Sequence, residues 1–213
     1  MPFLREWTTA GTRAKLQFST PLSSVAAWIT LITGRSPAQH GIFNLFRKQS
    51  PQGLQLRALS SRDIGRDALW TRLDREGRRT TVLEYPLTFP PPRIDGHVLP
   101  GSWTTPRQLK LGCHPSDLFR RLSELGVVSA ESFAIDWSQE KAAAWIKAQI
   151  ERETQVFKTL RFLMEHEPSD LTVILVRAFG AVQSRYERDL PGIWNTARVL
   201  AILAEEVNFA AAR

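Results

Sequence analysis

Cysteine is almost missing from this chain of 213 residues: the single one, Cys113, excludes an internal disulfide and a cysteine-rich metal site. Histidine is scarce too. The four, His40, His97, His114 and His166, are too far apart for a His-x-x-x-His metal motif on one helix. No window approaches the run of about 18 apolar residues that a membrane span needs. The start, MPFLREWTTAGTRAK, has charges at Arg5 and Glu6 where a leader would have an apolar core. These absences set the expectation of a soluble, cytoplasmic protein without a membrane partner.

What the chain does have is 43% apolar residues and seven tryptophans, enough for a real core and too much for a disordered polymer. Its 28 Lys and Arg exceed its 21 Asp and Glu, leaving a formal charge of +7. Such a field attracts phosphate-bearing small molecules. The cations are scattered, with small pairs at Arg78-Arg79 and Arg120-Arg121, and do not form a stripe with interleaved aromatics. That pattern argues against nucleic acid as the partner.

Within residues 21–46, PLSSVAAWITLITGRSPAQHGIFNLF, the apolar residues Val25, Trp28, Ile29 and Ile32 recur at helical spacing. They predict a short helix with one buried face, starting directly after Ser23 and Ser24. A helix start presents unpaired N–H groups and the positive end of the dipole, which suits a phosphate. A serine hydroxyl there is placed to attack that phosphate, although the commoner role of such a serine is to cap the helix.

The rest of the chain alternates helix and strand, the rhythm of an α/β fold. Helices are predicted over 1–11, 63–77, 115–126, 138–166 and 193–211, with a short strand at 15–18 and a surface loop over 47–61. In the long helix, Trp145, Ile146, Ile150, Phe157, Leu160, Leu163 and Met164 form a core stripe opposite a solvated charged face. Strands are predicted at 80–85 and 171–176, the second apolar enough to be a buried parallel strand. Between them, residues 86–106 hold six prolines and little periodicity, and read as an irregular loop or lid. Ligands of open α/β sheets gather beyond the carboxyl ends of strands, which directs attention to 177–188, where Arg177, Arg185 and Arg188 could hold a phosphate, although a solvated surface is the commoner role of such arginines. One domain over 1–213 is the expected organisation.

The serine segment resembles the nucleophile segment of the type I phosphodiesterase and nucleotide pyrophosphatase family, in the alkaline phosphatase superfamily. Members of that family place a Thr or Ser ahead of a short helix ending in Thr-Gly, then a Pro and a His-Gly-Ile turn. Here these are Ser24, Thr33-Gly34, Pro37 and His40-Gly41-Ile42. The resemblance implies that Ser24 is the nucleophile, with Ser23 as second choice, and that His40 is a structural turn residue. Phe89, Asp95-Gly96 and Gly101 resemble the family's stretch after its second strand, implied to overhang the substrate cleft.

The resemblance runs from 2 to 194 and implies a three-layer αβα sandwich with a mainly parallel sheet, alkaline-phosphatase-like and incomplete. The family begins with a strand ending in a metal-binding Asp, and no Asp precedes Asp63 here. Its two divalent ions, usually zinc, hold the phosphate and lower the nucleophile's pKa. Further ligands, an Asp and a His four residues on, follow a later strand; aligning on Val182 and Gln183 puts Gly180 and Ser184 in their places. Glycine has no side-chain ligand and a neutral serine hydroxyl is a poor one for zinc.

The expectation is therefore a truncated or degenerate phosphoester hydrolase, inactive as it stands, binding no zinc or other divalent pair by itself. Two alternatives stay open. One is an active phosphodiesterase completed by upstream sequence or by a partner chain that covers the missing strand. The other is a non-catalytic module that binds anions or nucleotides.

Overall fold

The structure, a computed structural model, describes residues 23–50, 53–101, 106–128 and 142–177, with residue 6 and residues 9–12 and 14–17 before them. Most of the helix predicted over 1–11 lies outside the described residues, although Glu6, Thr9 and Ala10 are helical. The helix predicted over 193–211 lies wholly outside them. Residues 14–17 are irregular and exposed, which corrects the strand read at 15–18. With Leu16 85% exposed, the alternation there buries nothing.

The chain divides into two compact units, one made of Leu16–Arg121 with Ser169–Ile174, the other of Met1–Lys15, Leu122–Pro168 and Leu175–Arg213. The first contains the sheet. It opens with helix α1, Ser24–Thr33, which buries Val25, Ala26, Ile29 and Ile32 as its spacing predicts. Each isoleucine so buried contributes about 1.5–3 kcal/mol. Gly34 ends α1 at φ 66, a left-handed conformation that only glycine adopts without strain. Helix α2, Pro37–His40, follows at once, with proline in its first turn and a Ser36–Gln39 capping box.

Two strands, β1 at Phe46–Lys48 and β2 at Leu56–Ala58, pair antiparallel with Arg47 opposite Arg57. They correct the reading of 47–61 as a loop. All six residues are exposed, so no apolar alternation marks them in the sequence. The helix expected over 63–77 is also corrected, because it is broken into α3, Ser61–Ile64, a 3₁₀ turn at Gly65–Asp67, and α4, Leu69–Arg75. Asp63 completes a capping box with Ser60 and so begins a helix of its own, while Ala68 is extended at ψ 140 and interrupts the run.

Strand β3, Thr80–Leu83, lies between β4, Gly96–Leu99, and β5, Leu171–Ile174, and runs parallel to both. Val82 pairs with Val98 on one side and Val173 on the other. Every residue of β3 and β4 is buried. Strand β4 sits inside the stretch expected to be irregular over 86–106. Four residues containing a histidine carry too little pattern to announce a strand; the parallel ladder with β3 makes it one.

Strand β5 was expected to be fully buried and is only half-buried. Among the described residues it has a ladder partner on one side only. Helix α5, Pro106–Gly112, had no counterpart in the sequence reading, whereas α6, Leu118–Glu124, falls within the predicted 115–126.

The second unit contains α7, Ala142–His166. Trp145, Phe157, Leu160 and Leu163 are buried as the stripe requires, and Val156 joins them. Met164, read as part of the stripe, is 47% exposed. The opposite face is not simply solvated, since Arg152 and Glu153 are buried. Glu153 accepts the backbone N–H of Arg177 at 2.9 Å, a hydrogen bond that offsets part of the cost of burying a carboxylate.

The α/β class with a parallel sheet is thus what the chain builds. No helix among the described residues is long and apolar enough to cross a membrane.

Candidate functional site

The two serines at the start of α1 do different things. Ser23 is the N-cap, extended at φ −136 and ψ 125. Its hydroxyl donates to the carbonyl of Phe43 at 2.8 Å and accepts a long hydrogen bond from the N–H of Ala26 at 3.4 Å. Its own carbonyl accepts from Ala27 N–H at 2.9 Å. Ser24, the first residue of the helix, is exposed, and its hydroxyl has no hydrogen-bond partner among the described residues. The first turn contains no acidic side chain. The positive end of the α1 dipole therefore meets no carboxylate from its own turn, which leaves it suited to an external anion.

The segment that meets Ser23 is held by His40. The N–H of Ile42 donates to His40 Nδ1 at 3.0 Å, so that nitrogen is unprotonated. His40 Nε2, which then carries the proton, lies 3.1 Å from Thr30 Oγ1 on α1. Burial lowers the pKa of this imidazole, against the opposing effect of a backbone hydrogen bond at Ala26. Arg47 Nη2 donates to the carbonyl of Gly41 at 2.9 Å on the same turn. The structural role implied for His40 by its place in the His-Gly-Ile turn is thus visible as two hydrogen bonds.

Asn44 was not singled out in the sequence. It follows Phe43 directly, and its Oδ1 accepts the N–H of Leu45 at 2.7 Å. The bond between Ser23 and Phe43, which spans 20 residues, ties the residue before it to the start of α1. Nothing in the local sequence signals it.

Beyond Asn44 a cavity of about 440 Å³ opens, lined by Leu45, Phe46, Leu59, Arg62, Leu87 and Phe89 among others. Gly101 also lines it. Phe89 and Gly101 thus line one cavity. Asp95 and Gly96 are not part of this lining, for they stand at the amino-terminal start of β4. Glu84, another residue passed over in the sequence, is buried just past the carboxyl end of β3. It has φ 62, a strained region for a residue with a side chain.

The histidines are dispersed and employed in the fold. His97 is fully buried with Nδ1 at 3.2 Å from Thr81 Oγ1, which in turn lies 2.7 Å from Ser169 Oγ. His114 Nε2 is 2.9 Å from the carbonyl of Ile94, and His166 Nδ1 is 3.0 Å from that of Phe162. Cys113 is buried and its Sγ donates to the Leu109 carbonyl at 3.2 Å; burial, helped by the charge of Glu84, pushes its thiol up to about 12.

Among the described residues no group of three or more His, Cys, Asp or Glu is arranged to hold a metal ion. Gly180, Ser184, Arg185 and Arg188 lie outside the described residues, and Arg177 is engaged through its backbone by Glu153.

The family model for type I phosphodiesterase / nucleotide pyrophosphatase matches residues 1–205 of the chain. No curated protein and no solved structure matches.

Proposed function

The chain belongs to the type I phosphodiesterase / nucleotide pyrophosphatase family, and from that premise we propose that it is a phosphoester-hydrolase scaffold with Ser24 at the nucleophile position, catalytically silent by itself. The observation that carries the choice of serine is the division of labour at the start of α1. Ser23's hydroxyl is committed to Phe43 and to the cap, whereas that of Ser24 is exposed at the positive end of the helix.

The residues here do three things for a phosphate ester. The helix start attracts the anion, Ser24 presents an oxygen to phosphorus, and an apolar cavity bordered by Leu45 and Phe46, in the loop that holds Ser23, is able to take an ester group. Among the described residues no metal-ligating cluster activates the hydroxyl. A serine hydroxyl is a weak nucleophile without a neighbouring base or a coordinated metal. In the family, which is generally metal-dependent, zinc supplies that activation, and the alignment on Val182 and Gln183 gives Gly180 and Ser184 at two of the ligand positions.

Two measurements on the purified chain test this reading: metal content by mass spectrometry after exposure to zinc, and hydrolysis of an aryl phosphodiester. The expected result is substoichiometric zinc and the same background rate in the wild type and Ser24→Ala. Tightly held zinc at two ions per chain, with turnover abolished in Ser24→Ala, would overturn the silence of the chain. Turnover abolished in Ser23→Ala and kept in Ser24→Ala would overturn the choice of serine.

A further inference from the structure

His40 sits where two segments that form the candidate site are joined. One of its nitrogens faces Thr30 on α1, and the other accepts the N–H of Ile42, one residue before the carbonyl that holds Ser23. The contacts form a chain: Thr30, His40, Ile42, Phe43, Ser23 and the N–H of Ala26 in the first turn of α1. We propose that His40 is a proton-operated latch on this loop, closed while the imidazole is neutral and released when it is protonated.

The reason is the direction of one hydrogen bond. An N–H donor points at Nδ1, so a proton added there places two donors face to face, at the cost of a lost bond and an unsatisfied N–H. Burial disfavours the new charge, and the one opposing effect, a backbone hydrogen bond at Ala26, is the smaller of the two. Helix α1, SVAAWITLIT, has no titratable side chain, and α2, PAQH, has none besides His40 itself. The turn that follows contributes Arg47, a cation bonded to Gly41. Arg35, between the two helices, is a second cation, and Asp67 is held by it at 3.0 Å and by Arg72 at 3.9 Å. Tyr85, whose hydroxyl reaches α1 at Trp28, is kept neutral by burial. The charged side chains on these segments are thus two cations and a carboxylate already engaged by arginines, so a protonated ring gains no ion pair to replace the lost hydrogen bond.

The latch goes beyond the proposed function, because it concerns the position of the loop and stands whether or not Ser24 is a nucleophile. It is tested on the isotopically labelled full chain by following backbone amides and the His40 ring by NMR from about pH 8 to about pH 5. The amides of Ile42, Phe43 and Ala26 are expected to shift together, with the midpoint of the His40 ring and below 6.5. In His40→Gln the side-chain carbonyl still accepts the Ile42 N–H but takes up no proton, and the three shifts are expected to vanish. A ring titration that moves Ile42 alone, leaving Phe43 and Ala26 in place, would overturn the latch; so would the same three shifts persisting in His40→Gln. If that variant does not fold, the behaviour of Phe43 and Ala26 in the wild type decides alone.

Discussion

The hydroxyl of Tyr85 donates to the backbone carbonyl of Trp28 at 2.8 Å, across 57 residues of chain. Trp28 belongs to the helix that begins at Ser24, and Tyr85 lies just past the carboxyl end of β3. The segment after β3 thereby grips α1 by its backbone, and the Trp70 and Tyr85 rings meet in a T-shaped pair with centroids 5.5 Å apart. Burial raises the phenol's pKa, so the donor proton is retained throughout the neutral range.

Tyr85→Phe keeps the ring and removes only this donor. It is expected to lower stability by about 1 kcal/mol, the usual net worth of one hydrogen bond. Urea unfolding followed by tryptophan fluorescence measures it, and an unchanged midpoint would mean that the contact contributes nothing.

Ser23→Ala and Ser24→Ala should separate clearly. Loss of an N-cap side chain costs about 0.5–2 kcal/mol, and Ser23 also gives up its bond to Phe43. Ser24 is exposed, so its truncation is expected to stay within about 0.5 kcal/mol of the wild type. The same unfolding assay on both variants checks the order; equal losses would contradict the assignment of Ser23 as the cap.

Acid should release the Arg57–Asp63 pair. The guanidinium of Arg57, bidentate to Asp63 at 2.6 and 3.1 Å, brings that carboxyl from 3.8 down to about 2, against its partial burial and with help from Ser60. A carboxylate whose pKa is lower in the folded state stabilises it fully above 3.8 and ceases to do so as the pH falls through about 2. Asp63→Asn is thus expected to be less stable than the wild type at neutral pH, with a gap that narrows in that acid window. Arg57 is half exposed, so added salt should shrink the gap as well.

Gly96 cannot take a side chain. A Cβ there would collide with the backbone of Thr80 in the neighbouring strand, and its φ of 126 belongs to glycine. Gly96→Ala is expected to destabilise the sheet by about 2 kcal/mol or more, since neither backbone can yield inside a parallel ladder. Gly34→Ala provides the comparison: its φ is also positive but open space surrounds it, so it should cost less. Thermal denaturation of the pair checks the difference.

The class of fold, the buried face of α1 and a β-branched strand within 80–85 could all be read along the chain. Each of these depends on spacing or on one residue's backbone preference, information that is local. The split of the expected 63–77 helix was harder, because Asp63 is both a plausible helix residue and a cap. The outcome turned on Ser60 and Ala68 together. Strand β4 was invisible, since Gly96–Leu99 is a strand only by virtue of its ladder with β3.

For the candidate site, the sequence by itself determined that two serines precede an apolar helix, that a His-Gly-Ile turn follows it, and that positions 180 and 184 carry Gly and Ser. Tertiary structure alone decided which serine is occupied and which is exposed, because Ser23's partner, Phe43, lies 20 residues away and nothing in either neighbourhood encodes their contact. The same holds for Asn44, for the strained Glu84 and for the cavity between the hairpin and the residues around Phe89. Hydrogen bonds and cavities are properties of segments brought together, and a linear pattern records only what each segment can do before it meets the other.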